Sequence, residues 1–246
     1  MISVIIPTYK SVDSFKLLLR SIVEGAYNLS SIQIIVVMDG HIQLYKDVLN
    51  EYSAHIDVLN MEQNVGLNRA LNLAVSNAKY ENILILNDDN VVSKHFDLRL
   101  QELELEDKEV ITPNQIEPFP SIFPQFIIKD LGRNPNTFDL EQFWEYSNSI
   151  SHDEWDHTGS TFPIYMKKLD YLAVGGFDEH YPTNGILADW DFFLKCKLMK
   201  FDFIRTYMTH IYHFVSLSVN DNSPTLDRTL AEADAFTYAN YKWGTN

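Results

Sequence analysis

Four short apolar runs punctuate the N-terminal part of the chain: Ile2–Ile6, Ile32–Met38, Ile56–Leu59 and Ile83–Leu86. Between them the apolar residues change period. Phe15, Leu18, Leu19 and Ile22 fall at helical spacing, with Ser11 or Asp13 as N-cap and Gly25 as terminator. Ile42, Tyr45, Leu49 and Tyr52 suggest a second helix, and Leu67, Ala70, Leu71, Ala74 and Val75, following the Asn64-Val65-Gly66 turn, a third. Strands too short to alternate, separated by amphipathic helices, are the sequence form of a parallel sheet with crossover helices, because a strand buried on both faces needs no polar side. The pattern predicts an α/β domain and holds through about residue 113.

Several of these runs stop on polar residues: Thr8-Tyr9-Lys10 after Pro7, Asp39-Gly40, and Asn87-Asp88-Asp89-Asn90. In open parallel sheets the carboxyl ends of the strands line the ligand crevice. Adjacent carboxylates such as Asp88 and Asp89 repel unless a positive charge lies beside them, and a divalent cation supplies one. A solvated Asx-rich turn explains the same residues without a ligand. The phosphate loops GxGxxG and GxxxxGK[ST] are absent, which lowers the case for a dehydrogenase or a P-loop enzyme.

Composition excludes other classes. The 246 residues carry a formal charge of −15, which argues against a nucleic-acid partner, since a phosphate backbone requires clustered Lys and Arg. Cys196 is the single cysteine, so no internal disulfide forms. There is no apolar run of the ~18 residues that a transmembrane helix needs, and the N-terminus lacks the charged and apolar regions of a secretory leader. The expectation is a soluble, cytoplasmic protein. Oligomeric state is left open.

From Glu117 to His157 the alternation dissolves. Pro118, Pro120, Pro124 and Pro135 break it, while Phe119, Phe123, Phe126, Phe138, Phe143, Trp144, Tyr146 and Trp155 crowd it. So many aromatics need burial or a ligand, so this reads as an irregular lobe for acceptor recognition or as an aromatic minicore. Strand character resumes from Ser160 to Met166, and Gly175-Gly176 marks a tight turn. Asp189–Met199 forms a helix with Phe192, Phe193, Cys196 and Met199 inward and Asp189 in its first turn, where acids also serve as caps. Asp202–Tyr207 reads as an edge strand and Leu226–Tyr241 as a C-terminal helix.

Taken in order, SVIIPTYK, MDG, NVGLNRALN, LILNDDN, GGFDEHY and ADWDFFLK resemble the successive signatures of inverting family-2 glycosyltransferases of the GT-A fold, from Ser3 to roughly His213. The resemblance implies a single Rossmann-like GT-A domain over 1–246 with a mostly parallel central sheet flanked by helices. It divides into a nucleotide-sugar half (1–113), an acceptor and catalytic half (114–219) and a C-terminal helix (220–246).

It also implies roles. Pro7, Thr8 and Tyr9 match the first nucleotide-binding segment, and Asp39 the acid that accepts from the base, commonly uracil, whose N3–H suits a carboxylate. Arg69 matches a basic residue near the nucleotide; alone it reads as an exposed helix cation. Asp89 matches the metal ligand of a DXD-like motif, for Mn²⁺ or Mg²⁺, and Asp88 the contact to ribose or donor sugar. Asn87 replaces the usual first acid. Asp189 matches the general base that deprotonates the acceptor hydroxyl, with Ala188 in place of the preceding Glu. Trp190 could stack on a sugar ring or pack in the core, and Asp191 could share the acid's role. His213 matches a histidine near metal or diphosphate. The implied activity is transfer of a sugar from a nucleotide donor, most simply a UDP-sugar, to a saccharide or other hydroxyl acceptor, in glycan or polysaccharide synthesis. A same-fold nucleotidyltransferase would want a Gly- and Arg-rich loop after the first strand, which KSVDSFK is not; Asn87 and Ala188 give a silent sugar-nucleotide or glycan-binding module some footing.

Overall fold

A computed structural model describes residues 1–121, 123–181, 185–214 and 225–244, with the backbone alone for 225–228. Its frame is a mixed sheet of ten strands among the described residues. Strands β1 (Ile2–Thr8), β2 (Ile32–Asp39), β3 (Ile56–Met61) and β4 (Asn82–Ile85) pair in parallel in the order β3-β2-β1-β4. The order then continues through β9 (Ile164–Lys167), β6 (Glu109–Glu117), β10 (Asp202–His213) and β5 (Asn90–Val92). Strand β9 is antiparallel to both neighbours, and β5 is antiparallel to β10. Two short strands, β7 (Ile127–Ile128) and β8 (Trp155–Asp156), attach to β6 and β10.

The two-residue period of the strands sorts the core. Ile5, Ile35, Val37, Ile83 and Ile85 point to one face, packed by α3 (Leu67–Asn77), α6 (Lys168–Val174), α7 (Ala188–Leu198) and α8 (Thr225–Trp243). Val4, Ile6, Ile34, Val36, Leu84 and Leu86 point to the other, packed by α1 (Val12–Gly25), α2 (Lys46–Glu51) and α4 (Phe96–Gln101). Each such buried aliphatic contributes about 1.5–3 kcal/mol, so one continuous sheet fixes the position of every strand end.

Three expectations change. The strand after Phe201 is not an edge: β10 runs to His213 in the sheet interior, between β6 and β5, with a register shift between Thr206 and His210. Strand β5 lies directly after the NDDN turn, too short to give a periodic signal. The lobe from Glu117 to His157 is not irregular throughout. It holds α5 (Leu140–Ile150), capped by Asp139, whose Oδ1 accepts from Gln142 N–H at 3.0 Å. Phe143 and Trp144 from α5 join Leu131, Tyr212 and Phe214 in a third apolar cluster, so much of the aromatic content is a minicore, while Phe119, Phe123 and Trp155 stay exposed. The expected halves share the sheet, since residue 113 falls within β6; the boundary at 219/220 lies outside the described residues.

Strand β5 carries Asn90, and so the polar turn, and its backbone is satisfied from both sides. Ser21 Oγ accepts from Val92 N–H at 3.1 Å, and Trp144 Nε1 donates to Val92 O at 3.0 Å. Ser21→Ala leaves that buried N–H without its partner and is expected to lower unfolding free energy by about 2 kcal/mol in urea; an unshifted midpoint would show that β5 does not depend on this bond.

Candidate functional site

The carboxyl ends of β1, β2 and β4 bring Thr8, Asp39 and the Asn87–Asn90 turn to one edge of the sheet. Thr8 Oγ1 donates to Asp88 Oδ2 at 2.7 Å, and the Tyr9 N–H reaches the same oxygen at 3.4 Å, locking the turn to β1. Tyr45 OH sits 2.9 Å from Thr8 Oγ1 and accepts from Ser11 N–H at 2.9 Å, so a residue read only as helical core braces the site. Burial, and secondarily the charge of Asp89, raise the Asp88 pKa to about 7. Pro7 is buried within the strand end, while the Tyr9 ring is half-buried, 5.5 Å from the His41 ring at a tilt of 57°.

Asp39 has a structural partner that the sequence does not announce. Its Oδ1 accepts from Val65 N–H at 2.6 Å and its Oδ2 from Gly66 N–H at 3.0 Å, tying the NVG turn to β2. Gly66 adopts φ +90°, open to glycine at little cost, which aims its N–H at the carboxylate. Burial raises the Asp39 pKa and these two donors oppose the rise. Arg69, on α3, is exposed and pairs with Glu179 at 3.0 Å.

Sheet register explains His213. In the β5–β10 ladder His213 stands opposite Asn90, and Phe214 N–H donates to Asp89 O at 3.2 Å, so the histidine arrives beside Asp89. His213 Nε2 lies 3.6 Å from Asp89 Oδ2, and Nδ1 lies 2.9 Å from Glu117 Oε1 at the end of β6. Burial alone would lower its pKa, but Asp89 and Glu117 outweigh burial and lift it to about 10. Glu117 is the partner missed from sequence, where it reads only as the start of the lobe. Asp89 Oδ1 is buried with no hydrogen-bond partner. An orphaned carboxylate oxygen beside an imidazole held by a second carboxylate fits a divalent cation, which would have to displace the Nε2 proton of His213, since only the neutral imidazole ligates. Among the described residues no set of three or more His, Cys, Asp or Glu forms a complete cation site, so Asp89 and His213 would hold it with ligands from water and phosphate.

Asp189 lies at the start of α7. A cleft of about 270 Å³ is lined by Asn87 from the polar turn, by Leu67, Phe162, Phe177 and Gly185–Ala188, and by Asp189 itself. Asp189 is exposed at this mouth, yet the cleft wall packed around it desolvates the carboxylate enough to raise its pKa, opposed by the Trp190 N–H, which donates to Oδ1 at 2.8 Å. Asp189 and Asn87 therefore share one cavity, whereas Asp39, Asp89 and His213 are not among its lining residues. Trp190 is 42% exposed, so it is not a core residue. Asp191 corrects the expectation that it could share the role of Asp189. It is fully buried, accepts from Trp243 Nε1 at 2.9 Å and Tyr181 OH at 3.3 Å, and pairs with Lys242 at 2.7 Å. A side chain two residues on along a helix points to nearly the opposite face.

A family model described as Glycosyl transferase family 2 matches residues 3–158. No curated protein sequence matches the chain. Among solved structures, S. aureus TarS 1-349 superposes with a TM-score of 0.64 at 15% identity, over 98% of this chain and 72% of that one. GalNAc-T7, solved with UDP, GalNAc and Mn2+, gives 0.64 at 11% identity over 91% of this chain and 45% of that one. A second S. aureus TarS structure gives 0.57 at 16% identity, over 83% and 36%. The chain thus spans less than half the length of the latter two. The fold is that of GT-A glycosyltransferases, and the chain belongs to glycosyl transferase family 2. It is a glycosyltransferase. The matched span covers Asp39, Asp88 and Asp89 and ends before Asp189 and His213. Among the described residues, no helix is long and apolar enough to cross a membrane.

The turn after Gly175-Gly176 has its own charge anchor. Lys242 Nζ reaches Asp178 Oδ2 at 2.6 Å and Tyr238 OH donates to it at 2.9 Å. Burial opposes ionisation of Asp178, but Lys242, His180 and Tyr238 bring its pKa well below the usual carboxylate range. With the folded pKa depressed, the stabilisation is present above the unfolded pKa of about 4 and is lost as pH falls through the folded value. Asp178→Asn is expected to cost about 2 kcal/mol at pH 7 and to flatten the acid limb of stability below about pH 4. Parallel acid limbs in urea titrations of the two proteins would refute this.

Proposed function

We propose that this glycosyltransferase is divalent-metal-dependent and inverting, and that it moves a sugar from a UDP-sugar to an acceptor hydroxyl. The observation that carries the proposal is the orphaned Oδ1 of Asp89 beside His213, in a chain whose fold is shared with a GalNAc-T7 structure holding UDP, GalNAc and Mn2+. Bound there, Mn²⁺ or Mg²⁺ would neutralise the charge that develops on the departing diphosphate. Glu117 would keep the His213 Nδ1 proton engaged and Nε2 turned to Asp89.

The remaining steps belong to protein side chains. Asp39 holds the NVG turn with one lone pair on each oxygen and retains another on each to accept from uracil N3–H. Tyr9, half-buried next to His41, offers a ring at the same strand end for the base. Asp88, held by Thr8, would contact ribose or donor sugar. Asp189 is the general base: it takes the acceptor hydroxyl proton in the cleft it shares with Asn87, at whose mouth it is exposed to an incoming hydroxyl while partial desolvation raises its basicity. Trp190, exposed beside it, is available to stack on the acceptor ring. Arg69 would reach the nucleotide only by leaving Glu179, with which it is paired at 3.0 Å.

Asp89→Ala is expected to abolish Mn²⁺-dependent UDP binding in calorimetry; equal affinity with and without chelator would remove the metal assignment. Asp189→Asn should keep UDP affinity and lose at least ~100-fold in turnover. Normal turnover by that variant would place the base elsewhere.

A further inference from the structure

We infer that the C-terminal helix α8 is part of the catalytic apparatus: Lys242 and Trp243 are positioning residues that set the first turn of α7 and, through it, the carboxylate of Asp189. The inference rests on the reading of Asp189 as general base.

Asp189 is held weakly by its own contacts. Its carboxylate bonds to backbone N–H groups of its own turn, that of Trp190 at 2.8 Å and its own. The helix is entered through Leu187 at φ +61°, a left-handed conformation that a leucine adopts only when its surroundings impose it. Something outside the turn must therefore fix it.

Asp191 supplies the handle. Its N–H donates to Leu187 O at 3.0 Å, closing the first turn, and its buried carboxylate is gripped by Trp243 Nε1 and Lys242 Nζ. Since Asp189 and Asp191 project to nearly opposite faces, restraint on one orients the other without touching the cleft. Lys242 also bonds Asp178, the neighbour of Phe177, which lines the cleft. One ammonium thus joins two segments of the cleft wall, Phe177–Asp178 and Leu187–Asp189. The apolar docking of α8 is made by Ala235, Ala239 and the ring of Tyr238, none of which is altered when Lys242 or Trp243 is substituted.

The test compares Lys242→Met, Lys242→Arg and Trp243→Phe with Asp189→Asn in the full chain. Turnover is read on whichever of UDP-glucose, UDP-galactose and UDP-N-acetylglucosamine the wild type consumes, and UDP affinity with Mn²⁺ by calorimetry. Lys242→Met should lower kcat by about 10- to 100-fold with UDP affinity within about twofold, the size of effect expected when a group is misplaced from a distance. Trp243→Phe should lower kcat less, and Lys242→Arg should restore most of it. Hydrogen exchange at the first-turn amides of α7 in the ligand-free protein, compared at equal distance below each melting temperature, should rise about tenfold in Lys242→Met. That measurement decides the matter if the three donors are inert. Unchanged kcat or unchanged exchange, with only a lower melting temperature, would reduce α8 to scaffold and overturn the inference. Should Lys242→Met fail to fold, Trp243→Phe carries both measurements. Normal turnover in Asp189→Asn refutes the base assignment itself, whereas an impaired Asp189→Asn beside a normal Lys242→Met refutes the role of α8 alone.

Discussion

The pairing of β5 with β10 decides where the charge at this site comes from. Asp88 and Asp89 are crowded at a strand end, and burial makes their repulsion costly. The ladder sets His213 opposite Asn90, which brings an imidazole to Asp89 from more than a hundred residues away in the chain. Glu117, at the end of the neighbouring strand, then gives that imidazole its second carboxylate. Shift this register by one residue and every side chain of β10 would change face, removing His213 from Asp89 and Tyr212 from the lobe core together.

The first four strands and their helices were legible because each carries its period within a dozen residues, and the polar stops showed where a crevice should lie. The rest depended on long-range pairing. Strand β10 reads as an edge because its continuation, His210 to His213, holds two histidines whose register partners, Asn114 and Asn90, lie on other strands. Helix α5 was obscured by prolines upstream, although Leu140, Phe143, Trp144 and Ser147 sit at helical spacing and all four are buried.

The site shows the same division. Asp39 and Asp89 stand out as polar stops after apolar strands, whereas Asp189 reads as a helix cap and is singled out only through the family resemblance. Their partners carry no such signal: Tyr45 reads as a core aromatic, Glu117 as a lobe residue, and Lys242 falls just past the end of the expected C-terminal helix. Asp191 misled because adjacency in sequence suggests shared chemistry, whereas helical geometry turns it into the core.

Enzymes that close over substrate commonly do so by swinging two bodies about a few hinge residues. Here the expected donor and acceptor halves meet inside β6, bonded on both flanks to β9 and β10. Bending at that seam would break ladder bonds on both flanks, so the sheet ties the two spans into one frame. The frame itself behaves as an anvil rather than as a pair of jaws.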